Sequence, residues 1–164
     1  MSNFYQDVIS KDPRYHTTKP VNDKMLLEPV TREAVLAIIA DAKSLHGIDI
    51  DTFETYRSKE RQELLFKQKA TKLKTVGVHH YGLAADFVKI IAGEPSWKGD
   101  FSFLVALCKK HGLISGSTWG QPKVKHTFVD PGHVQRITLQ RQPTLFNLTW
   151  YPSESYSPYL DGAA

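Results

Sequence analysis

The sequence predicts an α+β fold, with a small, mainly antiparallel sheet packed with about three helices. Three observations carry this. Apolar residues recur at helical spacing in segments that stop at glycine, and short runs rich in β-branched residues lie between turn signals. No regular strand–helix–strand alternation marks a parallel sheet. At 164 residues the chain is long enough for one domain, 1–164, with a sizeable core.

Residues 1–30 are polar, are interrupted by Pro13, Pro20 and Pro29, and read as an extended lead-in. "TREAVLAIIADAKSLHG" sets Val35, Ile38, Ile39 and Ala42 on one helical face, with Thr31 to cap the start and Gly47 to end it. "IDIDTFETYRS" alternates as a strand, irregular near Asp51. Ser58 caps a second helix, "KERQELLFKQKA", and "TKLKTVGV" follows as a basic loop. "LAADFVKIIAG" reads as a strand: it is short, has no amphipathic helical face and runs into Gly93-Glu94-Pro95. Asp100 caps a third helix through His111, where Lys109, Lys110 and Gly112 are stop signals. "SGSTWGQP" then reads as a turn, "KVKHTFVD" as a strand, "PGHVQ" as a tight turn and "RITLQ" as a last short element. Residues 143–164, rich in Pro, Ser and Tyr, read as a surface tail.

Composition excludes several classes. With 41% hydrophobic and 23% charged residues the chain is an ordinary globular sequence, without repeats or low-complexity tracts. Its longest apolar run, Ala34–Ala40, is too short for a bilayer, so no stable membrane insertion is expected. "MSNFYQDVIS" has neither the basic start nor the apolar stretch of a leader, which predicts synthesis in the cytoplasm. The single cysteine, Cys108, rules out an internal disulfide and a cysteine-rich zinc site, and its spacing suits a helix core face. A net charge of +4 favours an anionic partner. The basic residues are dispersed, with no Arg/Lys stripe interleaved with aromatics, which argues against nucleic acid. A monomer is expected.

"GVHHYGLAADFV" (77–88) places Asp86 inside an apolar run, where a carboxylate is costly unless a cation or donors compensate it. His79 lies before it, across Gly82, and His133 follows a Pro131-Gly132 turn. Two histidines and a carboxylate with an open fourth position make a catalytic zinc site, although spacing alone also fits packed or surface histidines. Asp130, in "DPGH", is either the first residue of a turn before proline or a carboxylate placed to take a proton from an activated water.

Three motifs occur in order: "TYRSKERQ" (55–62), "HHYGLAAD" (79–86), which fits H-x-x-G-x-A-x-D, and "DPGH" (130–133), which fits [DE]-x-x-H. Over residues 27–135 the chain resembles the zinc D-Ala-D-Ala carboxypeptidase and L-alanyl-D-glutamate endopeptidase family. That family includes vancomycin-resistance peptidases and many phage endolysins, and it shares its fold with the Hedgehog signalling domain. The resemblance implies one zinc ion held by His79, Asp86 and His133, with Asp130 as the catalytic carboxylate. It assigns Arg57 to the carbonyl oxygen as that becomes anionic; a structural ion pair is the other reading of Arg57. Gly77 stands where the family often has Ser or Thr.

The implied partner is the peptidoglycan stem peptide, cut by an L-alanyl-D-glutamate endopeptidase acting as a phage endolysin in host lysis. A D-alanyl-D-alanine carboxypeptidase and a non-catalytic wall-binding module are the alternatives. Gln62, Tyr81, Trp119 and His126 are candidate substrate contacts. Gln62 reads more readily as a solvent-facing helix residue, and Tyr81 and Trp119 as packing, whereas His126 reads equally as a surface residue. His80 reads as a rim residue. Non-haem iron sites use a similar ligand set, commonly with an H-x-[DE] pair, and this sequence contains no such pair.

Overall fold

The computed structural model describes residues 3–68, 76–117 and 131–163. The fold is α+β, as predicted, but its ends are built differently from the sequence reading. Helix α1, Phe4–Asp7, is capped by the Asn3 side chain, and single 3-10 turns follow at Ile9–Lys11 and Lys24–Leu26. Tyr5, Ile9, Val21 and Leu26 are buried. The described part of the predicted lead-in, residues 3–30, is therefore packed against the core rather than merely extended. Its buried residues come one per short turn, too sparsely for any periodicity to register.

Helix α2, Pro29–His46, starts earlier than expected because Glu28, not Thr31, caps it. The Glu28 carboxylate accepts from the Val30 and Thr31 N–H groups, and also from the Thr31 hydroxyl. Pro29 has no N–H to leave unpaired in the first turn. Gly47 ends the helix at φ 64, as predicted.

Strand β1, Ile50–Glu54, pairs antiparallel with β2, Ala84–Ile91. The ladder shifts between Thr52 and Glu54, past the irregularity expected near Asp51, and this sets Glu54 opposite Asp86. Helix α3, Lys59–Lys67, is capped by Ser58, whose hydroxyl accepts from the Arg61 N–H. Strand β2 does not simply end near Gly93. Ala92 and Gly93, both at positive φ, make a two-residue hairpin turn into β3, Glu94–Ser96. Helix α4 spans Phe103–His111 and stops at Gly112, φ 80. Asp100 sits before its cap Ser102 and accepts from that residue's N–H and hydroxyl.

Ile114–Ser115 forms strand β4, where the sequence predicted the start of a turn. "PGHVQ" divides into a Pro131–Gly132 turn and strand β5, His133–Gln135, so "RITLQ" lies beyond the strand. The described sheet runs β1-β2-β5-β4, with β3 also on β2. The strand predicted over 123–130 lies outside the described residues. Helix α5, Gln142–Phe146, and the segment after it are not confined to the surface: Leu145 and Pro158 are buried.

The core has two parts. One joins α2 and α4 to a sheet face through Val35, Ile38, Phe87, Leu104 and the buried Cys108. Burial pushes the Cys108 thiol up to about 12, so it is inert packing as predicted. The other gathers both chain ends around Tyr5, Tyr56, Tyr81, Ile137 and Leu145. Among the described residues no helix is long and apolar enough to cross a membrane.

Candidate metal centre

Asp86 and His133 are direct partners across the β2–β5 ladder. Gly132 allows this. Its carbonyl accepts from the Phe87 N–H at 2.8 Å, and a Cβ at that position would lie 2.7 Å from the Phe87 carbonyl oxygen. Only glycine lets the backbone enter so close to β2. His79 arrives from the other side, on a 3-10 turn, Val78–Tyr81, that ends at Gly82 with φ 76. A side chain on Gly82 would meet Ile9 and the Leu26 carbonyl oxygen at 2.8 Å, so this turn too needs glycine.

The three side chains converge. His79 Nε2 lies 3.2 Å and His133 Nδ1 3.1 Å from Asp86 Oδ1. One donor atom from each residue falls within 4.8 Å of the others. The hydrogen bonding behind His79 is informative. Its Nδ1 faces the Thr55 carbonyl oxygen at 3.3 Å, which can only accept, so Nδ1 carries the proton. In the neutral ring that a metal ligand requires, the lone pair is then on Nε2, facing a carboxylate oxygen. Either a proton or a metal ion must lie between these two atoms, and two imidazoles with one carboxylate suit zinc. The donor set therefore fits a divalent ion.

Arg57 reaches the same carboxylate from the end of β1. Its Nη2 donates to Asp86 Oδ2 at 3.2 Å and to Glu54 Oε1 at 2.9 Å, and its Nη1 donates to Gln62 Oε1 at 3.3 Å. Arg61 donates to the other Glu54 oxygen at 2.6 Å. Burial pushes the Glu54 carboxyl up, but hydrogen bonds from Arg57 and Arg61 outweigh it and leave it below the usual range. Arg57 is thus an ion-paired residue at a strand end and also a cation beside the centre. Gln62 is buried against it and does not face solvent.

Other predicted residues sit elsewhere. Tyr81 is buried, with its ring stacked on Phe146, and it packs the core rather than walling a cleft. His80 is not on a rim. The 3-10 turn rotates it inward, where Nε2 meets the Tyr5 and Tyr15 hydroxyls, and Nδ1 meets the Tyr56 hydroxyl and the Arg57 carbonyl. Burial pushes its imidazole down to about 4. Asp130, Trp119 and His126 lie outside the described residues. Gln135, two residues past His133 on the same strand face, carries a hydrogen bond from that histidine that the sequence reading passed over; the period-2 relation in "HVQ" was its signal.

Solved structures share the overall fold. The Serratia marcescens L-Ala D-Glu endopeptidase ChiX superposes with a TM-score of 0.54 at 21% identity, over 73% of this chain and 86% of that one. The vancomycin-resistance D,D-pentapeptidase VanY, in complex with Zn(II), gives 0.54 at 12% identity over 80% and 86%. The LD-carboxypeptidase LdcB gives 0.52 at 18% over 74% and 64%. The chain has their fold. The fold implied by the three motifs is the one adopted. No family model matches the chain, and no curated protein matches it.

Proposed function

We propose that this protein is a zinc-dependent peptidoglycan peptidase that cuts the stem peptide between L-alanine and D-glutamate and acts as a phage endolysin in host lysis. The observation that carries the reading is the convergence of His79 Nε2, Asp86 Oδ1 and His133 Nδ1. The fold shared with ChiX and with zinc-bound VanY supports it.

His79, Asp86 and His133 would hold the ion. Zinc in such a site supplies Lewis acidity, lowering the pKa of a water towards about 7 and polarising the scissile carbonyl. Asp130, by its place in "DPGH", is the carboxylate assigned to take the water's proton and hand it to the departing amine. Arg57 offers a fixed positive charge beside Asp86 for the oxygen that becomes anionic. Glu54 and Gln62 hold its guanidinium in place, so little reorganisation accompanies the charge change.

Metal analysis and digestion of purified sacculi, with and without chelator, test this on one preparation. One equivalent of zinc and new D-Glu amino ends are expected, both lost with chelator. Release of free D-Ala without new D-Glu ends would replace the endopeptidase with a carboxypeptidase. Asp130→Asn is expected to keep zinc and lose lysis; lysis at the wild-type rate would remove Asp130 from its role.

A further inference from the structure

We infer that Gln135 is a positioning residue that fixes which ring nitrogen of His133 faces the metal, and thereby sets the affinity of the centre. The inference rests on the metal reading above.

Gln135 is 1% exposed and lies in the β5 ladder, with its backbone paired to Ala84. Its side-chain nitrogen lies 2.8 Å from the Ile137 carbonyl oxygen, and its side-chain oxygen lies 2.8 Å from His133 Nε2. A carbonyl can only accept, so the amide must present its NH₂ end to Ile137. The opposite rotamer would press two buried oxygens together. With the amide so fixed, its oxygen faces His133 and can only accept. His133 Nε2 therefore carries a proton, and in the neutral ring that a metal ligand requires Nδ1 is left with the lone pair, facing Asp86 Oδ1 3.1 Å away. The relay runs from a backbone carbonyl through one amide to one ring nitrogen.

His79 is set the same way, but by the Thr55 backbone carbonyl, which no side-chain substitution removes. The two histidines consequently ligate through opposite nitrogens, Nε2 from His79 and Nδ1 from His133. Control of the second is vested in a side chain. Losing such a hydrogen-bond partner typically weakens a metal site by about 10–100-fold.

The test compares full-length wild type with Gln135→Leu and Gln135→Glu. Zinc affinity is read by competition with a chromophoric chelator, circular dichroism of the metal-free proteins checks the fold, and imidazole ¹⁵N NMR of the zinc-loaded wild type reads the tautomer. Gln135→Leu is expected to bind zinc about 10–100-fold more weakly with an unchanged apo spectrum. Gln135→Glu keeps an acceptor for Nε2–H but sets its other oxygen against the Ile137 carbonyl, so its zinc affinity is expected to fall between those of wild type and Gln135→Leu. The wild-type spectrum is expected to show His133 metal-bound at Nδ1 and protonated at Nε2. Coordination through Nε2, or wild-type affinity in a folded Leu variant, overturns the role of Gln135 while leaving the metal centre intact. A wild type that binds no zinc overturns both. Should the Leu variant not fold, the wild-type nitrogen assignment decides alone.

Discussion

The two halves of the core are made from different chemistry. Beneath α2 and α4 the buried side chains are mostly aliphatic, and they need nothing beyond close packing: Val35, Ile38, Leu104, Leu107 and Val134 carry no polar group. Around the chain ends, six of the seven tyrosines are gathered into the second cluster, so each phenol must find a partner as it is buried. Three of them donate to carbonyls far away in sequence. Tyr56 donates to the Tyr15 carbonyl, Tyr81 to that of Phe146 and Tyr151 to that of Tyr81. The aliphatic half is held by area removed from water. The tyrosine half adds a mesh of directional bonds that ties both termini to the turn carrying His79.

The sharpest way to break the second half is through Arg136. It is almost wholly buried, pairs with Glu28 at 3.0 Å and donates to the carbonyls of Ser153, Glu154 and Tyr156. Arg136→Ala leaves Glu28 charged in the interior and should cost about 3–5 kcal/mol in a urea melt. A loss below 1 kcal/mol would show that the tail is held by other means. Ile38→Ala probes the first half and should cost about 2–5 kcal/mol by the same measurement, through lost burial and a residual cavity. Tyr151→Phe removes one phenol bond and retains the ring, so about 0.5–1.5 kcal/mol is expected. Equal losses for Ile38→Ala and Tyr151→Phe would erase the distinction between the halves.

This division explains which parts of the molecule were legible. Helix α2 announced itself because Val35, Ile38 and Ala42 repeat at the helical period and Gly47 closes it. Asp86 stood out because a carboxylate in an apolar run needs a reason. His80 misled because the reading assumed extended backbone, whereas a 3-10 turn sends adjacent histidines to different partners, His79 to Asp86 and His80 to three phenols. Gln62 misled in a similar way: its helix is short and polar, yet the face that carries it is buried against Arg57. The tail misled through composition. Proline, serine and tyrosine suit a surface, but they pack once Arg136 collects three tail carbonyls.

By itself the sequence determined the α+β class, the main helices, the long strand β2 and the residue types able to grip a metal. These follow from local rules, since period, capping and breaker residues act over a few positions. Only the tertiary structure decided that Glu54, Asp86 and His133 line up across three strands, that Arg57 is clamped between carboxylates, and which nitrogen of each histidine faces inward. Those facts depend on register and on hydrogen-bond partners tens of residues apart, and chain connectivity carries no local signal of either.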